Sequence, residues 1–580
     1  MLGAAALATA PQLIRGNSCG HDFNVHLVSW LDCANAWRHG IVYPHWTPSP
    51  NWGAGEPRFV FYPPLTWMLG AALGLVFSWH FAPIVLTFLC LAGTGLATRA
   101  LALEAWDDPV ASLAGCAAIF SGFALFTAYE RAAFPEFTGG VWLPLLLLLA
   151  LRERHASANL VRRAFDGSAA PLALVLAGAW LSNAPLGVMA SYLLGAVALA
   201  AAALRKSWAP LLRAATATAV GMALTAFYWI PAAWEQRWVD IRQATQDPGY
   251  NFENNWIFGR SGNPVLALHD QVLRTASLIS ISMIAVALLC LVIAWRRGTL
   301  MPEKANGRWR WWIPLAAIPC VVLFLLFPVS RPVWQLLPKF KFLQYPWRWM
   351  EAVEAPMAIF FAAAVWPRGR GPRRVAAVAC AAAFACATAY AATAFFQVCY
   401  PEDTVRSTLA DYRAGAGFEG MYEYEPPQGD ISQIAMGLPD ACLVSDPTAE
   451  LGSVDADSGN PVWTAGQGSC TATFNFKRGR AANPEHLRLS ADAPQPGYLV
   501  LRLLSFPAWK VRVNGGIAAS HPRRDDGLMA VPVPRGPVNL RIDWIATPDV
   551  LLSRWLSLLG VLALTAACLL ERRLCRAPLS

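Results

Sequence analysis

The 580-residue chain is 56% hydrophobic and only 14% charged, with a mean hydropathy of +0.38; this excludes an ordinary soluble globular protein and indicates a polytopic membrane protein. Its net charge of +9 does not indicate a nucleic-acid partner, because the cations fall in short clusters between apolar runs: Arg152, Arg154, Arg162, Arg163; Arg205, Lys206; Arg296, Arg297, Lys304, Arg308, Arg310; Arg368, Arg370, Arg373, Arg374; Arg572, Arg573, Arg576. Such clusters mark cytoplasmic loops, and the 26 Trp residues suit the boundaries between membrane and water.

Residues 1–14 are apolar but shorter than the about 20 helical residues that a hydrocarbon core requires, and read as a shortened first membrane helix or, with no basic n-region or clear cleavage site, a signal-like anchor, the first being favoured. Further spans are expected near 81–101, 109–128, 138–152, 169–183, 185–204, 209–233, 273–295, 311–328, 352–367, 374–396 and 548–570, which with the first makes 12. With the basic loops inside, Asp22, Glu130, Trp256 and Arg348 fall outside and the carboxy terminus inside. The apolar stretch 64–79 would reverse every later loop if it crossed, so a re-entrant or surface-lying helix is expected there, and 15–80 becomes one outer loop.

The predicted domains are a membrane domain over 1–396, a β-rich extracytoplasmic domain over 397–547, and a last helix with a short cytoplasmic tail over 548–580. Strands are expected from Tyr498, Trp509, Leu528 and Val538. In the last of these, Val538, Leu540, Ile542 and Trp544 alternate with polar residues, the period of a half-buried strand, while Asn514-Gly515 and Asp526-Gly527 supply turns. Of the 13 Cys, Cys19 and Cys33 share the first outer loop and Cys442 and Cys470 the β-rich region, so each pair is either a disulfide or two free thiols.

No zinc pattern, Walker loop or Gly-x-Ser-x-Gly element is present, so the candidate chemistry lies in polar groups of the outer loops. Asp22 suits a general base for an acceptor hydroxyl, or the cap of a helix running from Phe23 to Trp37. His26, one turn on, could orient Asp22 or donate to a phosphate, or merely occupy a polar helix face. Glu56, Arg58 and Tyr62 could hold a polar head group or solvate a loop. In the second loop, AYERAAFPEF, the residues Glu130, Arg131 and Glu136 lie between apolar spans, where charges usually turn toward a cavity or a partner. A third cluster, WQLLPKFKFLQYPWRW, carries Lys339, Lys341, Gln344 and Arg348 among aromatics, which suits a lipid phosphate or an interfacial belt with snorkelling cations.

Together GHDFNVH, YPHWTPSPNWGAGEPRFVFYPPL, YERAAFPEF, LLPKFKFLQYPWRW and SFPAWKVRVNG resemble the bacterial membrane-protein family labelled 6-pyruvoyl-tetrahydropterin-synthase-related. More distantly the layout is similar to the GT-C superfamily of membrane glycosyltransferases. The spans, loop charges and strand pattern give a mainly α bundle of about 12 transmembrane helices plus a re-entrant or juxtamembrane helix, with an extracytoplasmic β-sandwich, and the resemblance implies that this bundle is GT-C-like. It further implies a polyprenyl-phosphate-linked sugar as donor, a glycan, lipid or protein acceptor, membrane lipid as surroundings, no nucleic acid, and a bacterial inner-membrane location. By motif position Asp22 matches the catalytic carboxylate of the first loop, and Tyr62-Pro63-Pro64-Leu65 the Pro-Pro-Leu element that follows it. Tyr62 stands where a basic residue is more usual, and the first loop has no Asp-Glu or Asp-x-Asp pair. No cofactor is therefore expected, with a divalent metal left open. Two other classes fit the same residues: a transporter or flippase of lipid-linked sugars, and a non-catalytic envelope assembly protein.

Overall fold

The computed structural model describes residues 1–152, 160–300, 312–369, 371–448, 470–476, 483–518 and 521–576; Arg154, Lys304, Arg308, Arg310 and Arg370 of the basic clusters lie outside them. The chain is mainly helical, and over the described residues each expected span falls on a helix or, for 109–128 and 209–233, on two successive helices. Among the described residues seven helical segments are long and apolar enough to cross a membrane, or nine if two pairs bent by 72° and 95° each count as one span. This is fewer than the 12 expected from hydropathy. Leu2–Arg15, Ala169–Ser182 and Met350–Val365 have 14, 14 and 16 residues, about 21 to 24 Å of helix at 1.5 Å per residue. Local breakers set two of these ends. Asn183 leaves the helix and accepts from Leu186 N to start the next one, and Trp366 is extended ahead of Pro367, as a residue before proline prefers.

Hydrogen bonds sort the loops into two ends. At one end Arg152 meets Glu104 (2.6 Å), Trp106 donates to Thr299 O, Arg213 binds Asp166 and the carbonyl of Arg163, and Glu571 accepts from Ala169 N. At the other, Ser18 donates to Tyr129 O, Gln397 to Glu130, Arg348 to Glu136 and Tyr228 to Phe61 O. Asn17 Nδ2 also donates to His80 O (3.0 Å). The segment that leaves the second end after Phe61 is therefore back at that end by His80. Its 14-residue helix, Pro64–Phe77, starts behind Pro63 and packs Gly70 against the ring of Trp30.

Eight strands follow: β1 (Ala441–Val444), β2 (Ala472–Phe474), β3 (His486–Ala493), β4 (Gly497–Leu504), β5 (Trp509–Val513), β6 (Gly516–Ile517), β7 (Leu528–Val533) and β8 (Gly536–Trp544). They form two antiparallel sheets of order β2-β1-β4-β7 and β3-β8-β5-β6, and inward residues of both share one apolar cluster. In β8 the alternation holds, with Val538, Leu540 and Ile542 buried between exposed Asn539 and Arg541. Asn514 and Gly515 take φ 49° and 88°, the two left-handed residues of a tight hairpin turn, and join β5 to β6.

Residues 43–61 of the first loop dock these sheets onto the helices. Trp46 packs against Trp509 and Trp544, His45 N donates to Glu485, and Leu504 N to Ala54 O. A disulfide secures the junction, but its pairing differs from the expected one. Cys19 bonds Cys399 (Cα–Cα 4.9 Å), while Cys33 is a free, buried thiol. The helix Phe23–Arg38 accounts for this, since it carries Cys33 about 15 Å along its axis from the loop that holds Cys19. Cys442 and Cys470 are bonded to each other.

Candidate functional site

The first loop lies directly on the second. Ser18 Oγ donates to Tyr129 O (2.7 Å) and Asp22 N to Arg131 O (3.0 Å). Between them Gly20 approaches so closely that a Cβ would lie 2.5 Å from Glu130 O, so only glycine fits. Thr127–Arg131 forms a π-helical turn closed by Ala132 at φ 49°. Such turns and left-handed non-glycine residues collect at functional sites, and here they turn Arg131 toward Asp22.

Asp22 is the residue before the helix Phe23–Arg38, yet its side chain makes no capping bond. Instead the carboxylate, 42% exposed, faces Arg131 at 3.6 Å. From there charges alternate inward. Arg131 pairs with Glu136 (2.5 Å), and Glu136 with Arg348 Nε (2.9 Å). Arg348 also donates to Leu343 O and to Gln344 Oε1 (3.0 Å). The guanidinium of Arg131 sits 4.9 Å over Trp347 and that of Arg348 4.7 Å over Tyr345. Gln344 is held at φ 60° with its amide on Ala244 O. Asp22, Arg131, Glu136, Gln344 and Arg348, far apart in sequence, thus form one connected cluster.

The other expected residues are placed differently. Glu56 and Arg58 are buried and satisfy each other (2.6 Å), with Asn51, Met421 N and Ser29 completing their bonds. They fasten the dock instead of offering a free head-group site. Glu130 turns away from Asp22 to accept from Gln397 (2.6 Å). Lys339 and Lys341 are exposed, Lys339 reaching Gln236, and neither joins the cluster. Tyr62 and Phe134 flank the ring of His26.

His26 is buried, and desolvation, with Asp22 opposing it and Arg58 and Arg131 adding to it, lowers its pKa from 6.5 to about 4. It is therefore neutral at pH 7 and cannot meet a phosphate as a cation. Its folded-state pKa lies below the unfolded one, so its contribution is complete above pH 6.5 and is lost as pH falls toward 4, by about 3 kcal/mol at most. Thermal melts in detergent between these pH values should show the wild type losing stability more steeply than His26→Phe; parallel curves would contradict the assignment.

Two carboxylates that sequence reasoning passed over lie beside the cluster. Glu351 packs on Gly139, and Glu354 accepts from Ser121 (2.5 Å). Both are buried on Met350–Val365, and the signal was available: two Glu one turn apart inside an apolar span. An apolar cavity of about 410 Å³ also opens here, lined by Tyr192, Val197, Ile318, Val322, Phe340 and Trp349. Trp349 adjoins Arg348 in the chain. No group of three His, Cys, Asp or Glu suited to a metal occurs among the described residues.

A family model described as 6-pyruvoyl-tetrahydropterin synthase related domain, membrane protein, matches residues 59–397. No curated protein matches the chain by sequence. Among solved structures, the Archaeoglobus fulgidus oligosaccharyltransferase in its apo form is similar at 13% identity and a TM-score of 0.39, over 73% of this chain and 60% of that one. The oligosaccharyltransferase AglB from the same organism, with an inhibitory peptide and a dolichol-phosphate, gives 14%, 0.36 and the same coverage. ArnT from Cupriavidus metallidurans bound to undecaprenyl phosphate gives 12% and 0.28, over 62% of this chain and 76% of that one. This chain spans 53 to 60% of the length of the archaeal chains.

Proposed function

Because the chain belongs to the membrane-protein family described as 6-pyruvoyl-tetrahydropterin synthase related, we propose that its site works at a membrane surface, as a glycosyltransferase that moves a sugar from a polyprenyl-phosphate carrier to an acceptor. The observation that carries this reading is the half-exposed Asp22 carboxylate at the head of the buried Arg131–Glu136–Arg348 chain. In the proposed step the acceptor hydroxyl attacks the anomeric carbon. The bond from that carbon to the phosphate oxygen breaks, Asp22 takes the hydroxyl proton, and polyprenyl phosphate leaves. Arg131 and Arg348 share one anion, Glu136, which leaves a net positive charge over the three groups to oppose the charge developing on the phosphate. Lys339 and Lys341 add exposed cations nearby, and the 410 Å³ apolar cavity beside Trp349 suits part of an isoprenoid chain.

The two ends of the bundle support an orientation. One gathers the basic loops and the other the site and the sheets, and by the positive-inside rule this supports an outward-facing site and domain 397–547 at a bacterial inner membrane. The acceptor is a glycan, lipid or protein. A flippase of lipid-linked sugars is the second reading, favoured by Glu351 and Glu354 inside a span. Purified protein in liposomes loaded with a polyprenyl-phosphate sugar distinguishes the two. Glycosyl transfer to added acceptors, together with accumulation of the charged carrier in a deletion strain, is expected. Movement of the intact carrier between leaflets without chemical change would replace transfer by flipping.

A further inference from the structure

A second cavity, of about 630 Å³, lies against the same loop, within the ~300 to 1,000 Å³ usual for ligand sites. Gly20, His21 and Phe23, which flank Asp22, line it, whereas Asp22, Arg131, Glu136 and Arg348 do not. Its walls come from four places: the first loop with the helix it leads into, the start of the helix Ala267–Arg296 at Leu268 and Gln271, the stretch 397–419 that leads to the sheets, and Glu130 of the second loop. The Cys19–Cys399 disulfide ties the first wall to the third.

We infer that this cavity binds a neutral or amino-bearing saccharide and rejects acidic ones. Its charged lining is anionic: Glu130, Asp403 and Glu419. Its one permanent cation, Arg58, is already paired with Glu56 at 2.6 Å. A phosphate, sulfate or uronate would meet three like charges, set against only His21, neutral amides and the already paired Arg58, at a cost that attractive contacts elsewhere must overcome. Hydroxyl and ammonium donors meet acceptors held in place instead. Gln397 donates to Glu130 Oε2 (2.6 Å) and Asn24 to Asp403 Oδ1 (2.7 Å). Each amide fixes its carboxylate through one oxygen, and the other oxygen can accept from a ligand. Tyr400, 70% exposed, and Phe418 add flat apolar faces on which the C–H face of a pyranose can stack.

As the place where the acceptor sits, this assignment rests on the transfer reading; as a binding site it does not. Full-length protein in nanodiscs, applied to an array of neutral, amino-bearing, sulfated, phosphorylated and uronate-bearing oligosaccharides, should bind only the first two classes. Glu419→Gln and Tyr400→Ala, both at exposed positions, should each weaken that binding at least tenfold, and Asp22→Asn should retain it. Preference for acidic glycans, absence of binding across the array, or unchanged affinity in both variants would overturn the site. Selective binding together with full turnover by Asp22→Asn would leave the site standing and remove the proposed role of Asp22.

Discussion

Replacing Glu136 by glutamine is expected to lower the melting temperature in detergent by several degrees and to abolish measurable turnover, a loss beyond 100-fold. Glu136 is the anion shared by Arg131 and Arg348, and all three side chains are buried. Removing one partner of a buried ion pair costs about 3 to 5 kcal/mol because the remaining charge is left without compensation. Here Arg348 loses its carboxylate partner, and Arg131 keeps only the solvent-open Asp22 at 3.6 Å. Glutamine has nearly the volume of glutamate, so no cavity confuses the measurement. The cause can be separated from general damage by adding Arg131→Met. With one uncompensated cation gone, the double variant should recover part of the lost stability, although not activity, and the non-additivity measures the coupling. A Glu136→Gln protein that melts with the wild type would mean that the three groups are not coupled as their distances indicate.

The broad architecture was readable because apolar runs of membrane length and a period-two alternation in β8 each leave a mark within one short window. The end to which 64–79 returns was readable too, since it follows from counting loop charges, and the Asn17 to His80 bond agrees with it. What lay beyond reading was pairing across hundreds of residues. Cys19 has a near neighbour in sequence, Cys33, and a distant partner in space, Cys399. Nothing in the sequence favours the second until the helix Phe23–Arg38 has carried Cys33 away. Whether Glu56 and Arg58 hold a head group or solvate a loop stays open in the sequence for the same reason, because their environment is supplied by Ser29 and Met421 from other elements. The short strands β1 and β2, of 4 and 3 residues, offer too few positions for a period to register. Glu351 and Glu354 were legible, as two carboxylates one turn apart in an otherwise apolar helix.

Asp22→Asn should separate chemistry from architecture most cleanly. The backbone bond from residue 22 to Arg131 O does not depend on the side chain, and the carboxylate neither caps its helix nor approaches Arg131 closer than 3.6 Å. An ion pair so open to solvent contributes at most about 1 kcal/mol, so the variant should fold and melt as the wild type does. If Asp22 takes the acceptor proton, turnover should still fall by about 10² to 10⁴, the usual contribution of a positioned general base, while KM changes only a few-fold because binding is untouched. Asp22→Glu, which keeps a carboxylate but displaces it, should recover part of the rate. The outcome that defeats this assignment is equally definite: wild-type turnover in Asp22→Asn would reduce Asp22 to the exposed ion partner of Arg131, and the base would have to be sought elsewhere in the outer loops.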